Sequence, residues 1–413
     1  MIRRMAAGGI AGLALILASC GSATQAGTPS PTALATSTPP HTATPTPTPT
    51  PTPLAVCATA PAGGTPAAWG FAVTQGSEID LLSTTGSVLN QTPNGGYGST
   101  APAEVGVGQA GVYLYDESTG ELSVLGKTGA AQDLGSLIPT GGWSANDNIS
   151  LAESPSGTCW IFSVVSYSAA DALSGSANST TELWVGGPGI SPPSLVATLT
   201  RANTTSTGGS AGGYQALRWD PSRVLLGSDP TEVGGAGPFI DESYSFSVVV
   251  SMDPTTGTVS PPLCSSGRFA DEAADGSVAC LTGLNTDAKI VVTKPGGATT
   301  TIDTGSASAG QLAFVGGSSL LTYCTSATAS SGGWSENLLA VQLGGQSPSP
   351  KTLVAGSTGS ELEGPYAWTK LVGTTSIAEL LGGTGPTSLG EVNLSTGAQT
   401  APIAPAASIL GVL

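Results

Sequence analysis

Three short acidic clusters contain the residue types that could bind a metal ion or cleave a glycosidic bond. They lie at 116–121, 146–148 and 271–275. Calcium takes about six to eight oxygen ligands, usually from a loop of alternating acids, and none of the clusters has that density. Asp and Asn in such short segments commonly bond their own backbone in a turn. We therefore predict turns or loops at these positions and no metal site.

Histidine chemistry is excluded from most of the chain, because the single histidine, His41, lies in low-complexity sequence. Ser-His-Asp and Cys-His nucleophiles, and histidine-ligated zinc or copper, all need this residue in a folded region. The glycine pairs at 208–209 and 212–213 lack the lysine and the helix that follow a phosphate-binding loop. We predict no catalytic residue and no cofactor.

The arginines and tryptophans are of types that contact ligands, but their positions favour packing roles. Arg218 and Arg223 flank one turn, and we interpret them as surface or edge contacts. Most of the tryptophans are expected in the core. Trp334 is the exception, because it follows a Ser/Gly loop and could stack on a sugar ring of a ligand.

The N-terminus has the pattern of a secretory signal peptide. Two arginines at 3–4 precede an uncharged apolar run at 5–19 that is too short to span a bilayer, and small residues lead to Cys20. The segment Leu-Ala-Ser-Cys at 17–20 resembles the lipobox of bacterial lipoproteins. The resemblance implies cleavage before Cys20 and a lipid on its sulfur, which would anchor the protein at the outer surface of a membrane. An ordinary signal peptide is the alternative.

A Thr/Pro-rich segment separates this N-terminus from the rest of the chain. Alternating proline removes backbone donors and favours an extended spacer. We therefore predict three parts: a signal peptide at 1–19, the lipidated cysteine with a tether at 20–56, and a folded domain at 57–413. Charged residues make up only 9% of the chain, and its formal charge is −16. An acidic surface repels nucleic acid, so we expect no nucleic-acid partner.

Five cysteines remain when Cys20 is set aside. An odd number allows at most two disulfides outside the cytoplasm and leaves one cysteine over. Cys264 and Cys280 are the closest pair in sequence and our first choice, with two buried thiols as the alternative. The other three are Cys57, Cys159 and Cys324.

From residue 57 onward, short runs rich in Val, Ile, Leu, Ser and Thr alternate with Gly-, Pro- and Asp-rich breaks, which is typical of an all-β fold. Similar strand–turn–strand segments recur at 113–122, 250–259 and 391–399, with Thr-Gly in the turn. This recurrence indicates an internal repeat. Counted along the chain, the repeating units number seven.

A second recurring pattern precedes several of these strands. It reads Trp-Ser-Ala-Asn-Asp at 143–147, Arg-Trp-Asp-Pro-Ser at 218–222 and Ala-Asp-Gly-Ser-Val-Ala at 274–279. These segments resemble the aromatic, Pro-Asp-Gly and apolar-strand pattern of WD40-like propellers, including the periplasmic propeller of the Tol system. The resemblance implies a seven-bladed β-propeller. Tandem β-sandwiches are the alternative fold.

The chain ends in an apolar segment that is surplus to the last unit, whereas the first unit is one strand short. We predict that 408–413 pairs with 68–74 and closes the ring. The resulting functional hypothesis is a lipid-anchored extracytoplasmic propeller that binds a protein or a surface polysaccharide. The alternatives are a propeller enzyme acting on a glycan and a passive surface or stalk protein of β-sandwich domains.

Overall fold

The computed structural model describes a set of segments that all belong to one compact unit, Thr50–Leu413. The signal peptide, Cys20 and the tether predicted at 20–56 lie outside the described residues. No helix among the described residues is long and apolar enough to cross a membrane. The described residues are 57, 68–95, 101–137, 148–167, 178–187, 190–201, 213–228, 248–264, 269–282, 288–305, 308–315, 317–328, 334–344, 348–355, 371–372, 376–381 and 388–413.

The strands form antiparallel sheets that follow one another along the chain, and we number the sheets in that order. Sheet 1 contains β1 (Gly70–Gln75), β2 (Glu78–Ser83), β3 (Val88–Pro93) and, from the far end of the chain, β27 (Ser408–Val412). Sheet 2 contains β4 (Ala103–Gly108), β5 (Gly111–Asp116), β6 (Glu121–Leu125) and β7 (Gln132–Ser136). Sheet 3 contains β8 (Asn148–Glu153), β9 (Trp160–Tyr167), β10 (Ser179–Gly187) and β11 (Ile190–Arg201).

The second half of the chain continues the same arrangement. Sheet 4 contains β12 (Tyr214–Asp220), β13 (Arg223–Ser228) and β14 (Val248–Met252), and residues 259–263 bond along β14. Sheet 5 contains β15 (Phe269–Glu272), β16 (Val278–Thr282), β17 (Lys289–Thr293) and β18 (Thr299–Asp303). Sheet 6 contains β19 (Ser308–Val315), β20 (Leu320–Thr328), β21 (Trp334–Gln342) and β22 (Lys351–Ala355). Sheet 7 contains β23 (Leu371–Val372), β24 (Ser376–Leu381), β25 (Ser388–Asn393) and β26 (Ala404–Pro405).

The sheets are arranged radially around their inner strands, which are the first strands along the chain in sheets 2 to 7 and β27 in sheet 1. The inner strand β4 contacts β27 on one side and β8 on the other, β8 contacts β12, and β15 contacts β19. Buried apolar clusters fill the spaces between successive sheets, and a further cluster joins sheet 7 to sheet 1. Antiparallel sheets packed face to face around an axis form a β-propeller, as the sequence predicted, and not tandem sandwiches.

The apolar runs of the sequence follow from this packing, because each sheet is covered on both faces. Along β5, Tyr113 and Tyr115 face sheet 3, whereas Val112 and Leu114 face sheet 1. The ring centroids of Tyr115 and Phe162 are 5.2 Å apart. A strand between two apolar neighbours reads as a continuous apolar run, because side chains alternate between the faces and both faces are buried.

The predicted turns are present, but they do not all occupy the same place in a sheet. Asp116 accepts hydrogen bonds from the Ser118 amide (2.8 Å) and hydroxyl (2.6 Å), and Gly120 has φ of 74°. This turn joins the second and third strands of sheet 2. The similar Thr-Gly turn at 253–258 follows the third strand of sheet 4. The predicted turns therefore share the same local chemistry. The sequence comparison nevertheless aligned turns that differ in position by one strand within their sheets.

The predicted pairing at the C-terminus is confirmed. β27 pairs antiparallel with β1, with Phe71 opposite Val412 and Thr74 opposite Ser408. The Leu413 amide donates to the carbonyl oxygen of Gly70 at 2.9 Å. The first sheet is thus built from both ends of the described domain, and the C-terminal strand is its inner strand.

Two disulfides connect parts of the chain that are separate in sequence. Cys264 is bonded to Cys280, the pair that the sequence favoured, and this bond joins sheet 4 to sheet 5. Cys57 is bonded to Cys159, which lies between β8 and β9, across 102 residues of sequence. Cys324 is buried and takes part in neither disulfide. The sequence could not specify the second pairing, because several partners remained open for Cys57.

Candidate functional site

The most charged region of the described structure lies at one end of the inner strands. Three consecutive inner strands, β8, β12 and β15, each end in an acidic residue, namely Glu153, Asp220 and Glu272. In the recurring pattern at 218–222 and 274–279, Asp220 and Asp275 have equivalent positions instead, because each precedes a turn proline or glycine. The strand ends show that the equivalent residue is Glu272.

Glu153 binds the first hairpin of the preceding sheet. Its carboxylate accepts hydrogen bonds from the amides of Gln109 (2.6 Å) and Ala110 (3.0 Å) and from the hydroxyl of Tyr113 (2.7 Å). Burial, together with the nearby Glu153 charge, raises the pKa of Tyr113, so its hydroxyl stays protonated and keeps donating. Glu153 therefore fixes sheet 3 to sheet 2 by satisfying two backbone donors.

The position of Glu153 explains why residue 108 is glycine. A Cβ added at Gly108 would lie 2.5 Å from the carboxyl carbon of Glu153. We expect Gly108→Ala to displace this carboxylate and to lower the free energy of unfolding by about 0.5–1.5 kcal/mol, because it breaks hydrogen bonds to the partly buried Gln109 amide and the exposed Ala110 amide. Urea denaturation measures the difference. The matched control is Gly344→Ala, because no atom lies within 4 Å of a Cβ added there. Equal losses in the two variants would contradict the explanation.

Arg218 and Asp271 form the most buried ion pair, between sheets 4 and 5. An Arg218 guanidinium nitrogen lies 3.1 Å from an Asp271 oxygen, and the Asp271 side chain has no exposed surface. Asp271 also accepts the Phe314 amide of sheet 6 at 2.7 Å. Burial opposes the charge on Arg218, but Asp271 and Asp220 outweigh it and raise the pKa of Arg218. One carboxylate thus joins three successive sheets.

A second arginine strengthens the same interface. Arg223 forms an ion pair with Glu272, and it donates to the carbonyl oxygens of Glu272 (2.9 Å) and Ala273. Among the described residues, the apolar cluster between sheets 4 and 5 has three buried members, Leu225, Val249 and Ala270. Ion pairs and the Cys264–Cys280 disulfide add to this packing at the same interface.

These contacts define what the charged region can do chemically. The guanidinium groups of Arg218 and Arg223 are bound to carboxylates and carbonyl oxygens of the chain itself. Within the described segments, no three His, Cys, Asp or Glu side chains converge in a group that could hold a metal ion. The region therefore positions sheets relative to one another.

Glu104 is a second feature of the inner strands that the sequence analysis missed. It lies near the start of β4, whereas Glu153 lies at the end of β8. Burial raises the pKa of the Glu104 carboxyl to about 7. No sequence signal marks it, because Glu104 lies in an ordinary Gly/Val-rich strand.

The raised pKa of Glu104 predicts a pH dependence of stability. The folded form binds the proton more tightly than the unfolded chain, whose pKa is about 4.3. Glu104 therefore contributes stability below about pH 4, and that contribution is lost as the pH rises to about 7. We expect Glu104→Gln to be more stable than the parent at pH 8, by about 1–3 kcal/mol, and to gain little at pH 4. Denaturant titrations at both pH values test this, and an equal gain at both would contradict it.

The acidic clusters singled out in the sequence have separate roles. Asp116 caps its own turn, and Asp275 accepts the Ser277 amide at 2.9 Å. Asp271, by contrast, belongs to the ion pairs between sheets. In the cluster at 146–148, only Asn148 falls on a described strand, and its side chain lies outside the described residues.

The remaining predicted site residues are placed as follows. Trp334 is the first residue of β21, opposite Thr328 on β20, and its side chain lies outside the described residues. Cys20 also lies outside them. Stacking by Trp334 and lipidation of Cys20 therefore remain predictions.

No family model and no curated protein sequence matches the chain. Solved structures similar to it include TolB from Acinetobacter baumannii, at 11% identity and a TM-score of 0.40 over 82% of this chain and 79% of that one. Sqt1 from Saccharomyces cerevisiae is similar at 12% identity and a TM-score of 0.42, over 83% and 86%. A puromycin hydrolase is similar at 13% identity and a TM-score of 0.46, over 86% and 55%. At these values the fold rests on the strand pairing and packing of the chain itself.

Proposed function

We propose that the protein is a seven-bladed propeller, anchored by a lipid on Cys20 at the outer surface of a membrane, that binds another protein or a surface polymer. The observation that carries the proposal is the circuit of packed sheets. Apolar clusters join successive sheets, and one joins sheet 7 back to sheet 1 through β27. A rigid scaffold of this kind presents loops in fixed positions, and binding residues are commonly found on such loops.

The disulfides support the proposed location. Disulfides form and persist outside the cytoplasm, and the structure contains two among the described residues, Cys57–Cys159 and Cys264–Cys280. The anchor itself is tested by Cys20→Ala. We expect the parent to incorporate labelled palmitate and the variant to incorporate none, with the variant precursor left uncleaved. Continued labelling of the variant would overturn the anchor.

The binding function is tested by photo-crosslinking in intact cells. Glu117 and Thr128 are exposed residues at opposite ends of β6, so a crosslinker at each position samples one end of the sheet. We expect a discrete adduct from at least one end of the propeller. A passive stalk predicts no adduct from either end, and that result would overturn the proposal. Release of oligosaccharides from cell-wall glycan by the purified protein would establish the enzyme alternative instead.

A further inference from the structure

We propose that Glu104, on the inner strand β4, binds a lysine or arginine side chain of the partner protein. The inference rests on the proposed binding function, and it names one contact of that function and the chemistry of the group that makes it. A carboxylate and a cationic side chain form a charge-assisted hydrogen bond, which is stronger than a hydrogen bond between neutral groups.

Glu104 differs from the other acidic residues of the described inner strands because it has no partner. The others, Glu153, Asp220, Asp271 and Glu272, are each bound by donors of the chain itself. Within the part of the chain that the structure describes, no donor forms a hydrogen bond or an ion pair with Glu104. Its carboxylate therefore keeps its capacity to accept hydrogen bonds from a ligand.

Glu104 lies on a face of β4 that is otherwise apolar. It is directly opposite Leu114 of β5, and residues opposite each other in a sheet share a face. Leu114 belongs to the same buried cluster as Ala72, Ile79 and Leu81 of sheet 1. Burial beside such groups raises the pKa of Glu104, so its charged form is disfavoured unless a cation is supplied.

The described residues of sheets 1 and 2 supply no such cation. Lys127 is their only lysine or arginine, and it lies over the ring of Trp69 at 5.8 Å. Trp69 in turn donates a hydrogen bond to Gln109, the residue that follows β4. Gln109 is five positions after Glu104, which is about 15 Å along an extended strand. Lys127 is therefore at the opposite end of β4 from Glu104.

Solvent reaches β4 from the axis of the propeller. β4 pairs with β5 along one edge only, and β27 and β8 contact it from the neighbouring sheets. Glu104 is nevertheless partly exposed, and so are Ala103 and Gly106 of the same strand. The free edge of an inner strand borders the axis, so a side chain that enters along the axis meets Glu104.

A lysine or arginine side chain has the chemistry that this position requires. Its long apolar stem packs along apolar surface while its charged end reaches the carboxylate. A calcium ion takes about six to eight oxygen ligands, and a single carboxylate supplies only two of them. A cationic side chain therefore fits Glu104 better than a bare metal ion does.

The other titratable groups on the strands around β4 are bound or face elsewhere. They are Tyr113, Tyr115 and Asp116 on β5, Glu153 on β8, and Glu78 and Asp80 on β2, whereas β27 has none. The two tyrosines face sheet 3. Asp80 is opposite Val73 and faces sheet 7, as does Glu78 two positions earlier. Asp116 and Glu153 accept backbone amides of sheet 2, so the pH dependence of binding at this site is that of Glu104.

The site is tested on the full chain with a defined probe, the peptide acetyl-Ala-Lys-Ala-amide. With a pKa of about 7, Glu104 is ionised about ten times more often at pH 8 than at pH 6. We therefore expect the peptide to bind about tenfold more tightly at pH 8, as measured by NMR titration. A peptide with norleucine in place of lysine keeps the stem without the charge, and it should show no such difference.

Two variants make the probe experiment specific. Glu104→Gln should abolish the pH dependence, and it is expected to fold because it removes a charge that burial disfavours. The matched control is Glu121→Gln, which removes an exposed carboxylate near the turn that follows β5 and should retain the pH dependence. No binding of the lysine peptide to the parent, or the same pH dependence in Glu104→Gln, would overturn the proposal.

The natural partner is tested in intact cells at pH 8 with the photo-crosslinker at Glu117, which lies in the turn after β5. We expect Glu104→Gln to lower the yield of the adduct with another protein by about tenfold or more, and Glu121→Gln to leave it unchanged. An adduct at Glu117 or Thr128 that Glu104→Gln does not weaken would reject the Glu104 contact while leaving the binding function intact. An adduct that contains only a second copy of the chain would also overturn the proposal.

Discussion

Removal of residues 408–413 is expected to cost the domain about 5 kcal/mol or more of its free energy of unfolding. The deletion removes the inner strand of sheet 1, including Ile409 and Leu413, which are 6% and 2% exposed. It also uncovers Phe71 on β1, which is fully buried in the intact protein. Burying an aliphatic or aromatic side chain of this size contributes about 1.5–3 kcal/mol. The total approaches the whole stability of an ordinary domain, about 5–15 kcal/mol.

Thermal and urea denaturation of the truncated and full-length chains measure this loss. The control is Val88→Ala, which removes exposed apolar atoms from the outer strand of the same sheet and should change the free energy of unfolding by less than about 0.5 kcal/mol. If the truncated chain has the same melting temperature and urea midpoint as the full-length chain, β27 does not contribute to the stability of the propeller and the prediction is wrong.

Replacement of Asp271 by alanine is expected to be the most damaging single substitution of a charged residue. It leaves the Arg218 guanidinium in a largely buried site with one of its carboxylates missing, and it deprives the Phe314 amide of its acceptor. Breaking a buried ion pair in this way costs about 3–5 kcal/mol. The part of the interface between sheets 4 and 5 that the structure describes has three buried apolar side chains, so we expect little compensation from packing there.

A double-mutant cycle separates the ion pair from the other effects of this substitution. We expect Arg218→Met combined with Asp271→Ala to lose less than the sum of the single losses, because the double variant has no stranded charge. Glu121→Ala removes an exposed carboxylate and serves as the neutral control. Strict additivity in the cycle would contradict a direct coupling between Arg218 and Asp271.

Much of the fold was predictable from the sequence because short local patterns, the apolar runs and the turn residues, specify its strands and turns. Burial of both faces of a sheet gives continuous apolar runs, and tight turns need residues such as Asp116 and Gly120, so strands and turns can be predicted from the sequence. The pairing of 408–413 with the first sheet was predictable from the number of strands in each unit, because the first unit was one strand short and the last had one too many. The alignment of turns failed where the same Thr-Gly chemistry serves different connections within a sheet.

The contacts between sheets were not predictable from local patterns. Arg218 and Asp271 are 53 residues apart, and Glu153 binds amides 43 and 44 residues earlier in the chain. Their meeting depends on how sheets pack, which no turn signal specifies.

The Cys57–Cys159 disulfide determines which sheet of the propeller receives a mechanical load applied to the preceding chain. A force applied to the chain before Cys57 passes through the disulfide into the first hairpin of sheet 3, between β8 and β9. The disulfide is a covalent path in parallel with the chain from 58 to 69, so part of the pull enters sheet 3 and does not reach β1, which pairs with β27 at the closure. Resistance to forced unfolding is governed by the kinetic barrier on the path that is pulled. Reduction of this one bond would redirect the same force onto the strand pair that closes the propeller.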